Sequence, residues 1–137
     1  MLKLISGEDR EFVMRMDKHI DHRSFDHRVY TENGYIIMEG GRSVGFIAQN
    51  VLWGNIPFME LISVCEEERG RGYGTRAILE WEDILRGRGF KMALLSTQVD
   101  EGAQHLYRRL GYTDCGGLLF DNTPFEQPME MFMRKVL

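Results

Sequence analysis

The sequence predicts a single α/β domain with a mixed, mostly antiparallel sheet and flanking helices, and two patterns support this prediction. From residue 35 to residue 65, apolar β-prone runs alternate with glycine-containing turns, as is typical of an antiparallel meander. After residue 65, a segment with helical periodicity leads to another apolar run at 90–96, which indicates a parallel strand joined by a right-handed crossover. Because no linker or internal repeat interrupts the 137 residues, we expect one domain over residues 1–137.

Composition and charge exclude several classes of protein. With a net charge of −4, the chain lacks the basic excess that nucleic acid or an anionic membrane would favour. No apolar run approaches the roughly 18 residues of a membrane-spanning helix, and residues 1–5 are too short for a signal peptide. Cys65 and Cys115 form no Cys-x-x-Cys pair and no disulfide framework, which suits a reducing compartment. We therefore expect a cytoplasmic protein that binds neither nucleic acid nor membrane.

The first predicted elements are a short strand over residues 1–5 and a helix that follows it. Ser6 is placed to cap this helix, and Asp9, three residues later, can complete a capping box. The next apolar residues recur with helical spacing: Phe12, Val13, Met16 and Ile20. The sequence therefore predicts a first helix that extends to about residue 20.

A histidine-rich segment over residues 17–28 has three interpretations. It contains His19, His22 and His27, three of the four histidines, together with Asp26. We favour a polar helix end and loop on the surface, which requires no metal. A metal site is the second interpretation, since His19 and His22 could share a helix face near Asp26. One wall of a ligand pocket is the third.

The central meander is predicted from the turns between its strands. Residues 35–38 form a strand, and the Glu-Gly-Gly-Arg sequence at 39–42 supplies the residues that a hairpin turn needs. Residues 43–53 return as the partner strand. After a turn at 54–55, an apolar run from 58 to 65 forms the next strand.

The glycine-rich turn after this strand is the strongest functional feature of the sequence. It consists of Arg69, Gly70, Arg71, Gly72, Tyr73, Gly74 and Thr75. A helix follows it, with one apolar face made by Ala77, Ile78, Trp81, Ile84 and Leu85. A helix N-terminus offers unpaired N–H groups and a partial positive charge, and glycines let a phosphate reach the backbone. We predict that this turn binds a phosphate.

Three types of phosphate-binding turn differ in their spacing. The P-loop of NTPases requires a lysine after its last glycine, whereas Thr75 follows Gly74 here. The dinucleotide-binding turn requires an acidic residue at a strand end about twenty residues on, which this sequence lacks, and here the turn comes behind the meander. The third spacing, Arg-x-x-Gly-x-Gly, is met by Arg69, Gly72 and Gly74.

The rest of the chain predicts further strands with one short helix between them. The helix after the turn ends near the Arg-Gly-Arg-Gly sequence of 86–89, and the buried strand over 90–96 follows. A strand begins at residue 112, and residues 120–128 form a loop with two prolines. A final strand over 129–136 is predicted to pair antiparallel near residue 112.

The short helix before residue 112 is predicted from its ends and its apolar face. Asp100 is placed to cap it, and Gly111 is suited to the left-handed residue that ends it. Its apolar face comprises Ala103, Leu106, Tyr107 and Leu110. The segment from Ala103 to Tyr112 thereby reads Ala-x-x-x-Tyr-x-x-x-Gly-Tyr.

Together, the Arg-x-x-Gly-x-Gly turn and this second block resemble the GNAT superfamily of acyl-CoA-dependent N-acetyltransferases, in order and in approximate separation. The resemblance covers nearly the whole chain apart from residues 17–34. It implies a GNAT-like fold whose parallel fourth and fifth strands splay apart to admit the pantetheine arm of acetyl-CoA. The cofactor-binding residues that it implies are Ile62, Ser63, Val64, residues 69–75, Asp100, Ala103 and Tyr107.

The resemblance also implies that an amine attacks the acetyl thioester directly. Tyr107 would stand near the sulfur, and a phenol with a pKa near ~10 can protonate the leaving thiolate, so Tyr107 is the predicted general acid. The backbone N–H of Val64 would stabilise the oxyanion that forms. From helical spacing alone, we would favour a structural interpretation of Tyr107, as an aromatic residue packed on an amphipathic helix with its hydroxyl at the surface.

Two departures from the family pattern affect these assignments. Many members carry asparagine where this chain has Asp100, whose carboxylate accepts hydrogen bonds but cannot donate them. Some N-terminal acetylases carry a glutamate base where this chain has Leu95. Glu60, which shares strand parity with Ile62 and Val64, is therefore our candidate base, and bulk water is the alternative. If that face of the strand meets the core instead, Glu60 is the partner of a cation.

We expect an N-acetyltransferase that moves an acetyl group from acetyl-CoA to a primary amine of a small molecule or peptide, without a metal. The alternative is a non-catalytic module that binds or senses acyl-CoA, in which Tyr107 is structural. Phe25, Tyr30 and Trp53 could line an acceptor pocket or belong to the core. The sequence does not decide between a monomer and a homodimer.

Overall fold

The structure is a computed structural model that describes residues 1–137. Its α-helices are α1 (Arg10–Met16), α2 (His22–Tyr30), α3 (Tyr73–Gly87) and α4 (Ala103–Arg109). Its strands are β1 (Leu2–Leu4), β2 (Gly34–Glu39), β3 (Arg42–Leu52), β4 (Ile56–Val64), β5 (Met92–Gln98), β6 (Thr113–Leu118) and β7 (Glu130–Val136). Short 3₁₀ turns at Gly7–Asp9 and Glu66–Glu68 precede α1 and α3.

The strands form a seven-stranded mixed sheet in the order β1-β2-β3-β4-β5-β7-β6. β4 and β5 are parallel, whereas β1 with β2, β2 with β3, β5 with β7 and β6 with β7 are antiparallel. The parallel register comprises Phe58 with Leu94 and Met59 with Leu95. This confirms the predicted α/β class with a parallel fourth and fifth strand.

The chain divides into two compact units, and β4 contributes to both. Unit 1 comprises Met1–Asn50 and Glu60–Ile84, and unit 2 comprises Val51–Met59 and Leu85–Leu137. Each unit therefore consists of two chain segments.

Local turn chemistry in unit 1 follows the prediction. The Ser6 N–H donates to Asp9 Oδ2 at 2.9 Å, so the predicted capping box forms, at the 3₁₀ turn Gly7–Asp9 that precedes α1. Gly40 and Gly41 have φ of 55° and 76°, the left-handed values that the β2–β3 hairpin turn requires. The buried core of this region comprises Ile5, Val13, Phe25, Ile36, Phe46 and Ala48.

The prediction for residues 17–28 is wrong in one respect, because most of this segment is helical. α1 ends at Met16, and α2 begins at His22 with Asp21 as its N-cap, whose carboxylate accepts from the Ser24 N–H at 2.7 Å. Phe25 is fully buried in the core, so α2 is packed against the core through this side chain. Because charged and histidine residues surround Phe25 in the sequence, the apolar pattern that would predict this helix is absent.

In unit 2, β7 lies between β5 and β6. Seven residue pairs join β5 to β7, from Met92 with Val136 to Gln98 with Glu130. β6 pairs with the other edge of β7, which confirms the predicted antiparallel pairing of the last strand near residue 112. The insertion of β7 beside β5 was not part of the prediction.

The predicted cap of α4 is wrong. Its N-cap residue is Gly102 rather than Asp100, and no side chain caps the helix. The chain turns first, since the Glu101 N–H donates to the Gln98 carbonyl, and the helix therefore begins later than predicted. The Gln104 side chain instead donates to the Val99 carbonyl at 2.8 Å and to the Glu101 carbonyl at 3.2 Å.

None of the helices combines the length and the hydrophobicity that a membrane-spanning segment needs. No group of three or more histidine, cysteine, aspartate or glutamate side chains is arranged to hold a metal ion. His19, His22 and His27 are all exposed, and His22 Nδ1 lies 3.3 Å from Arg10 Nη1.

Candidate functional site

The glycine-rich turn leads from β4 into α3, as predicted. Gly70 and Gly72 have φ of 79° and 81°, a left-handed conformation that side-chain-bearing residues adopt at a cost. No atom outside the adjacent residues lies within 4 Å of the position that a Cβ would take at either glycine. The backbone at both positions is therefore open to the approach of a ligand.

The turn ends at the N-terminus of a long helix. α3 has fifteen residues and begins at Tyr73, earlier than its predicted apolar face. The Arg76 N–H donates to the Gly72 carbonyl at 3.1 Å and makes the first hydrogen bond of the helix. The preceding N–H groups, those of Tyr73, Gly74 and Thr75, have no acceptor within the helix. These N–H groups and the helix dipole together favour an anion at this end.

The arginines of the turn are engaged within the protein. Arg69 Nε donates to the Val64 carbonyl at 3.0 Å. Arg71 Nη1 lies 3.1 Å from the Glu68 carboxylate, which also accepts from Arg42 Nη1 at 2.7 Å. The backbone is therefore the main source of free donors in this turn, and the arginine side chains brace it.

Glu68 is a supporting residue that the sequence analysis missed. Its side chain is buried between the two arginines. The hydrogen bond from Arg42 is the main reason that the pKa of Glu68 lies below its ordinary value and that the pKa of Arg42 is raised. The spacing of Glu68 and Arg71, three residues apart, is a signal that could have identified the pair. Arg42 is distant in sequence and could not have been found this way.

The last residues of β4 are held closely against β3. Ile62, Ser63 and Val64 are half-buried. At Gly45 of β3, a Cβ would lie 2.5 Å from the Ser63 carbonyl oxygen and 3.3 Å from Val64 Cα. Only glycine therefore allows the two backbones to approach so closely at this point.

A cavity of about 560 Å³ adjoins this segment of β4. Its lining includes Ser63, Val64 and Arg69, together with Arg15 and Lys18 from the end of α1 and beyond it. The end of β4 and the first residue of the turn, both predicted to bind the cofactor, thus line one cavity within unit 1.

Glu60, the candidate base, forms an ion pair. Its Oε2 accepts from Arg28 Nη2 at 3.0 Å. Its side chain is about one-third exposed, so it is not a core residue. The structure therefore gives Glu60 the cation partner that the sequence analysis named as its alternative role, on a side chain that solvent still reaches.

Tyr107 lies on α4 and is buried, with 6% of its surface exposed. Its ring packs against that of Tyr112, with centroids 6.3 Å apart. Burial, followed by the negative charges of Glu101 and Glu130, raises the pKa of the Tyr107 phenol above its ordinary value. The phenol is therefore protonated at neutral pH and can donate a proton. Ala103, on the same helix, is half-buried.

The aromatic residues considered for an acceptor pocket have different surroundings. Phe25 is a core residue with no exposed surface. Tyr30 is 87% exposed and Trp53 is 86% exposed, so neither belongs to the core. Trp53 also has φ of 52° in the β3–β4 turn.

Residues 4–112 match the sequence profile of the acetyltransferase (GNAT) family. This match covers most of the chain and contains both the glycine-rich turn and the block from Ala103 to Tyr112. The chain belongs to the GNAT family. This GNAT domain is similar to a curated relative and to several solved structures.

Among curated relatives, N-alpha-acetyltransferase 30 of Schizosaccharomyces pombe is 28% identical over 96 residues, covering 66% of this chain and 63% of that protein. The GNAT domain therefore spans less than two-thirds of this relative. Arabidopsis thaliana Naa50, in complex with the bisubstrate analogue CoA-Ac-MVNAL, has a TM-score of 0.82 at 13% identity, covering 100% of this chain and 98% of that chain. Nourseothricin acetyltransferase has a TM-score of 0.63 at 28% identity, covering 75% and 64%.

Proposed function

We propose that this GNAT domain transfers an acetyl group from acetyl-CoA to a primary amine. The observation that carries the proposal is the strand, left-handed glycine turn and long helix formed by residues 56–87. This strand–turn–helix segment has backbone N–H groups without helical partners at a helix N-terminus, and such groups can bind the pyrophosphate of coenzyme A. Family membership and the likeness to a chain solved with a CoA-containing bisubstrate analogue support the choice of acetyl-CoA.

The proposed contacts to acetyl-CoA are those that the family resemblance implies. Residues 69–75 would bind the pyrophosphate, mainly through backbone N–H groups. The backbone of Ile62, Ser63 and Val64 would pair with the pantetheine arm, which resembles an extended peptide. Asp100 and Ala103, at the start of α4, remain proposed contacts. Asp100 does not cap α4, so its exposed carboxylate is free of that role.

In the proposed reaction, the amine nitrogen forms a bond to the acetyl carbon and the carbon–sulfur bond breaks. The N–H of Val64 would stabilise the oxyanion formed on attack. Tyr107 would transfer its proton to the departing thiolate, and its raised pKa keeps that proton available at neutral pH. The amine loses a proton to water or to Glu60. To accept the proton, Glu60 must either break its ion pair with Arg28 or become protonated while it remains in contact with Arg28.

The acceptor class includes both peptides and small-molecule amines. The relatives include one named as an N-alpha-acetyltransferase, one bound to an analogue that contains the peptide sequence MVNAL, and one named for nourseothricin. A peptide or small-molecule amine is therefore the expected acceptor.

Thermal stability and thiol release test the proposal. Acetyl-CoA should raise the Tm through preferential binding to the folded state, whereas ATP and NAD should change it little. A panel of peptide and small-molecule amines should then include one that releases CoA thiol at a rate that saturates with amine concentration. Equal stabilisation by ATP would indicate a general nucleotide site and contradict the proposal.

A second candidate function is a non-catalytic module that binds acyl-CoA. It is favoured by the ion pair that engages Glu60 and by Leu95 at the position where some N-terminal acetylases carry a glutamate base. Such a module should be stabilised by acetyl-CoA without releasing thiol to any amine in the panel. Saturable thiol release would eliminate it.

A further inference from the structure

A second cavity of unit 1, of about 350 Å³, has basic residues in its lining and no acidic ones. Its lining comprises Arg23, Ser24, His27, Arg28, Thr31, Asn33 and Asn50. We call this cavity the α2 pocket, because four of these residues belong to α2. Its basic and amide side chains are suited to an anion.

Arg28 is held in the lining of this pocket by backbone carbonyls. Its Nη1 donates to the Asn33 carbonyl at 2.9 Å and to the Gln49 carbonyl at 3.0 Å. Its aliphatic stem passes Gly34, where a Cβ would lie only 3.1 Å from Arg28 Cδ. Since only 14% of the side chain is exposed, the guanidinium is fixed before any ligand arrives.

A buried hydrogen-bond chain holds the two carbonyls that position Arg28. Trp81 Nε1 donates to Gln49 Oε1 at 2.6 Å, and Gln49 Nε2 donates to Asn33 Oδ1 at 3.2 Å. The Gln49 N–H also donates to the Asn33 carbonyl. Because Asn33 Oδ1 is the acceptor, the amide nitrogen of Asn33 is left as a donor.

Arg28 retains donors that the protein does not use. Of its five N–H bonds, Nη1 supplies two to carbonyls and Nη2 supplies one to Glu60. Arg28 Nε is buried and has no hydrogen-bond partner. Because Nε is closed to solvent, the donor left for a ligand is the second N–H of Nη2, which has no acceptor in the protein.

The charge of the pocket indicates which anion fits. Arg23 and Arg28 contribute two positive charges and Glu60 offsets one, which leaves one positive charge from these three side chains. One net charge suits a carboxylate better than a doubly charged phosphate. Asp26, also on α2, is paired with Arg10.

The pocket is also linked to the part of β4 that is proposed to bind the pantetheine arm. Glu60, which touches Arg28, precedes Ile62 by two residues of β4, or about 7 Å along the strand, and shares its face. We propose that the α2 pocket binds a carboxylate of the amine acceptor, so that the preferred acceptors are amino acids or acidic peptides. This inference rests on the proposed acetyl transfer and specifies its substrate class.

Direct binding tests the inference independently of acetyl transfer. Calorimetry without acetyl-CoA would compare two ligand pairs, alanine with alaninamide and the amidated peptides Ala-Glu-Ala with Ala-Gln-Ala. The first pair tests a main-chain carboxylate and the second a side-chain carboxylate. In at least one pair, the carboxylate ligand should bind roughly 10-fold or more tightly than its amide, since charge-assisted hydrogen bonds to arginine are lost in the amide.

Variants of the exposed residue Arg23 keep the test free of folding defects. Arg23→Gln should remove most of the preference for the carboxylate ligand, whereas Arg134→Gln, a matched change at an exposed arginine of β7, should preserve it. Arg28→Lys is a stricter variant, because it keeps the charge and loses the fixed guanidinium geometry. Its Tm is measured alongside.

The outcomes separate this inference from the proposed function. Carboxylate and amide ligands that bind equally, or a preference that survives Arg23→Gln, would overturn the inference, as would the absence of binding in both pairs. A carboxylate preference that Arg23→Gln removes supports it. If such binding is found while no amine in the panel releases thiol, the pocket is supported and acetyl transfer is contradicted.

Discussion

The N-termini of α3 and α4 carry the two motifs that define this chain, yet they are held by different means. Before α3, Gly70 and Gly72 adopt left-handed φ values, and Glu68 forms ion pairs with two arginines. Before α4, Gly102 has φ of −74° and caps without a side chain, while Gln104 donates to two backbone carbonyls. The first turn is built by backbone conformation and buried charge, and the second by exposed side-chain hydrogen bonds.

The difference determines how well each turn can be predicted. A left-handed backbone strongly favours glycine, so the glycines of the turn before α3 predict its conformation. A capping aspartate is only one of several ways to begin a helix. Asp100 has the right residue type, but the chain makes another turn before α4 begins. The two turns should therefore respond differently to substitution.

The largest effect is expected at Tyr107. Tyr107→Phe should lower kcat by about 10²–10⁴-fold, or about 3–5 kcal/mol of barrier, because it removes the proposed proton donor. The Tm should hardly change, since the ring and its buried area remain. Steady-state thiol release measures the rate. Tyr35→Phe, at another buried tyrosine, is the matched control and should leave kcat unchanged.

The pH dependence of Tyr107 sharpens this prediction. Burial raises the pKa of the phenol above its ordinary value of 10.0, so the proton is retained until the pH exceeds about 10. The alkaline limb of the kcat profile should therefore lie above pH 10 and should disappear in Tyr107→Phe. An unchanged limb and a near-normal kcat in the variant would leave water as the proton donor.

The next largest effect is expected at Gly72. Gly72→Val places a β-branched residue at φ of 81°, which should cost at least about 1–2 kcal/mol of stability and distort the turn. The rise in Tm produced by acetyl-CoA should be lost. Gly87→Val is the matched control, because Gly87 lies in α3, has no positive φ and has open space at its Cβ position. A full acetyl-CoA shift in Gly72→Val would contradict the proposed phosphate site.

A smaller and pH-dependent effect is expected at Glu68. Its pKa is lowered in the folded state, so it stabilises the fold fully above the unfolded value of about 4.3 and progressively less as the pH falls through the folded value. Glu68→Gln should therefore lower the Tm at pH 7. As the pH falls below the unfolded value and through the lower folded value, the two proteins should converge. Thermal unfolding at several pH values measures this, and a constant Tm difference across the range would contradict it.

The smallest effects are expected at the N-terminus of α4. Asp100→Ala should change the free energy of unfolding by no more than about 0.5 kcal/mol, because Asp100 does not cap the helix. Gln104→Ala should cost more, up to about 1 kcal/mol, because two hydrogen bonds to carbonyls are lost. Urea unfolding of both variants gives the comparison. The reverse order would restore Asp100 as the cap.

Features that depend on neighbouring residues were predictable from the sequence. The capping box of Ser6 and Asp9, the β2–β3 hairpin and the passage from β4 through the glycine turn into α3 all follow from short-range chemistry. The parallel pairing of β4 and β5 follows from the handedness and length of the connection between them.

Features that depend on distant contacts were not predictable. α2 owes its position to the burial of Phe25, which no local pattern reveals. Glu60 meets Arg28 across 32 residues of sequence, and Glu68 meets Arg42 across 26. The candidate site therefore could be located by its motifs, whereas the partners of its charged residues required the structure.

The close approach at Gly45 has a consequence for how the site can change. Because a Cβ at this position would collide with the Ser63 carbonyl, any larger residue must push the end of β4 outward or be rejected. Gly45 contributes no side chain of its own, yet it sets how close to β3 the cavity-lining residues Ser63 and Val64 can lie. Substitutions of the cavity-lining residues would leave this constraint intact, so a wider cavity would first require a change in β3.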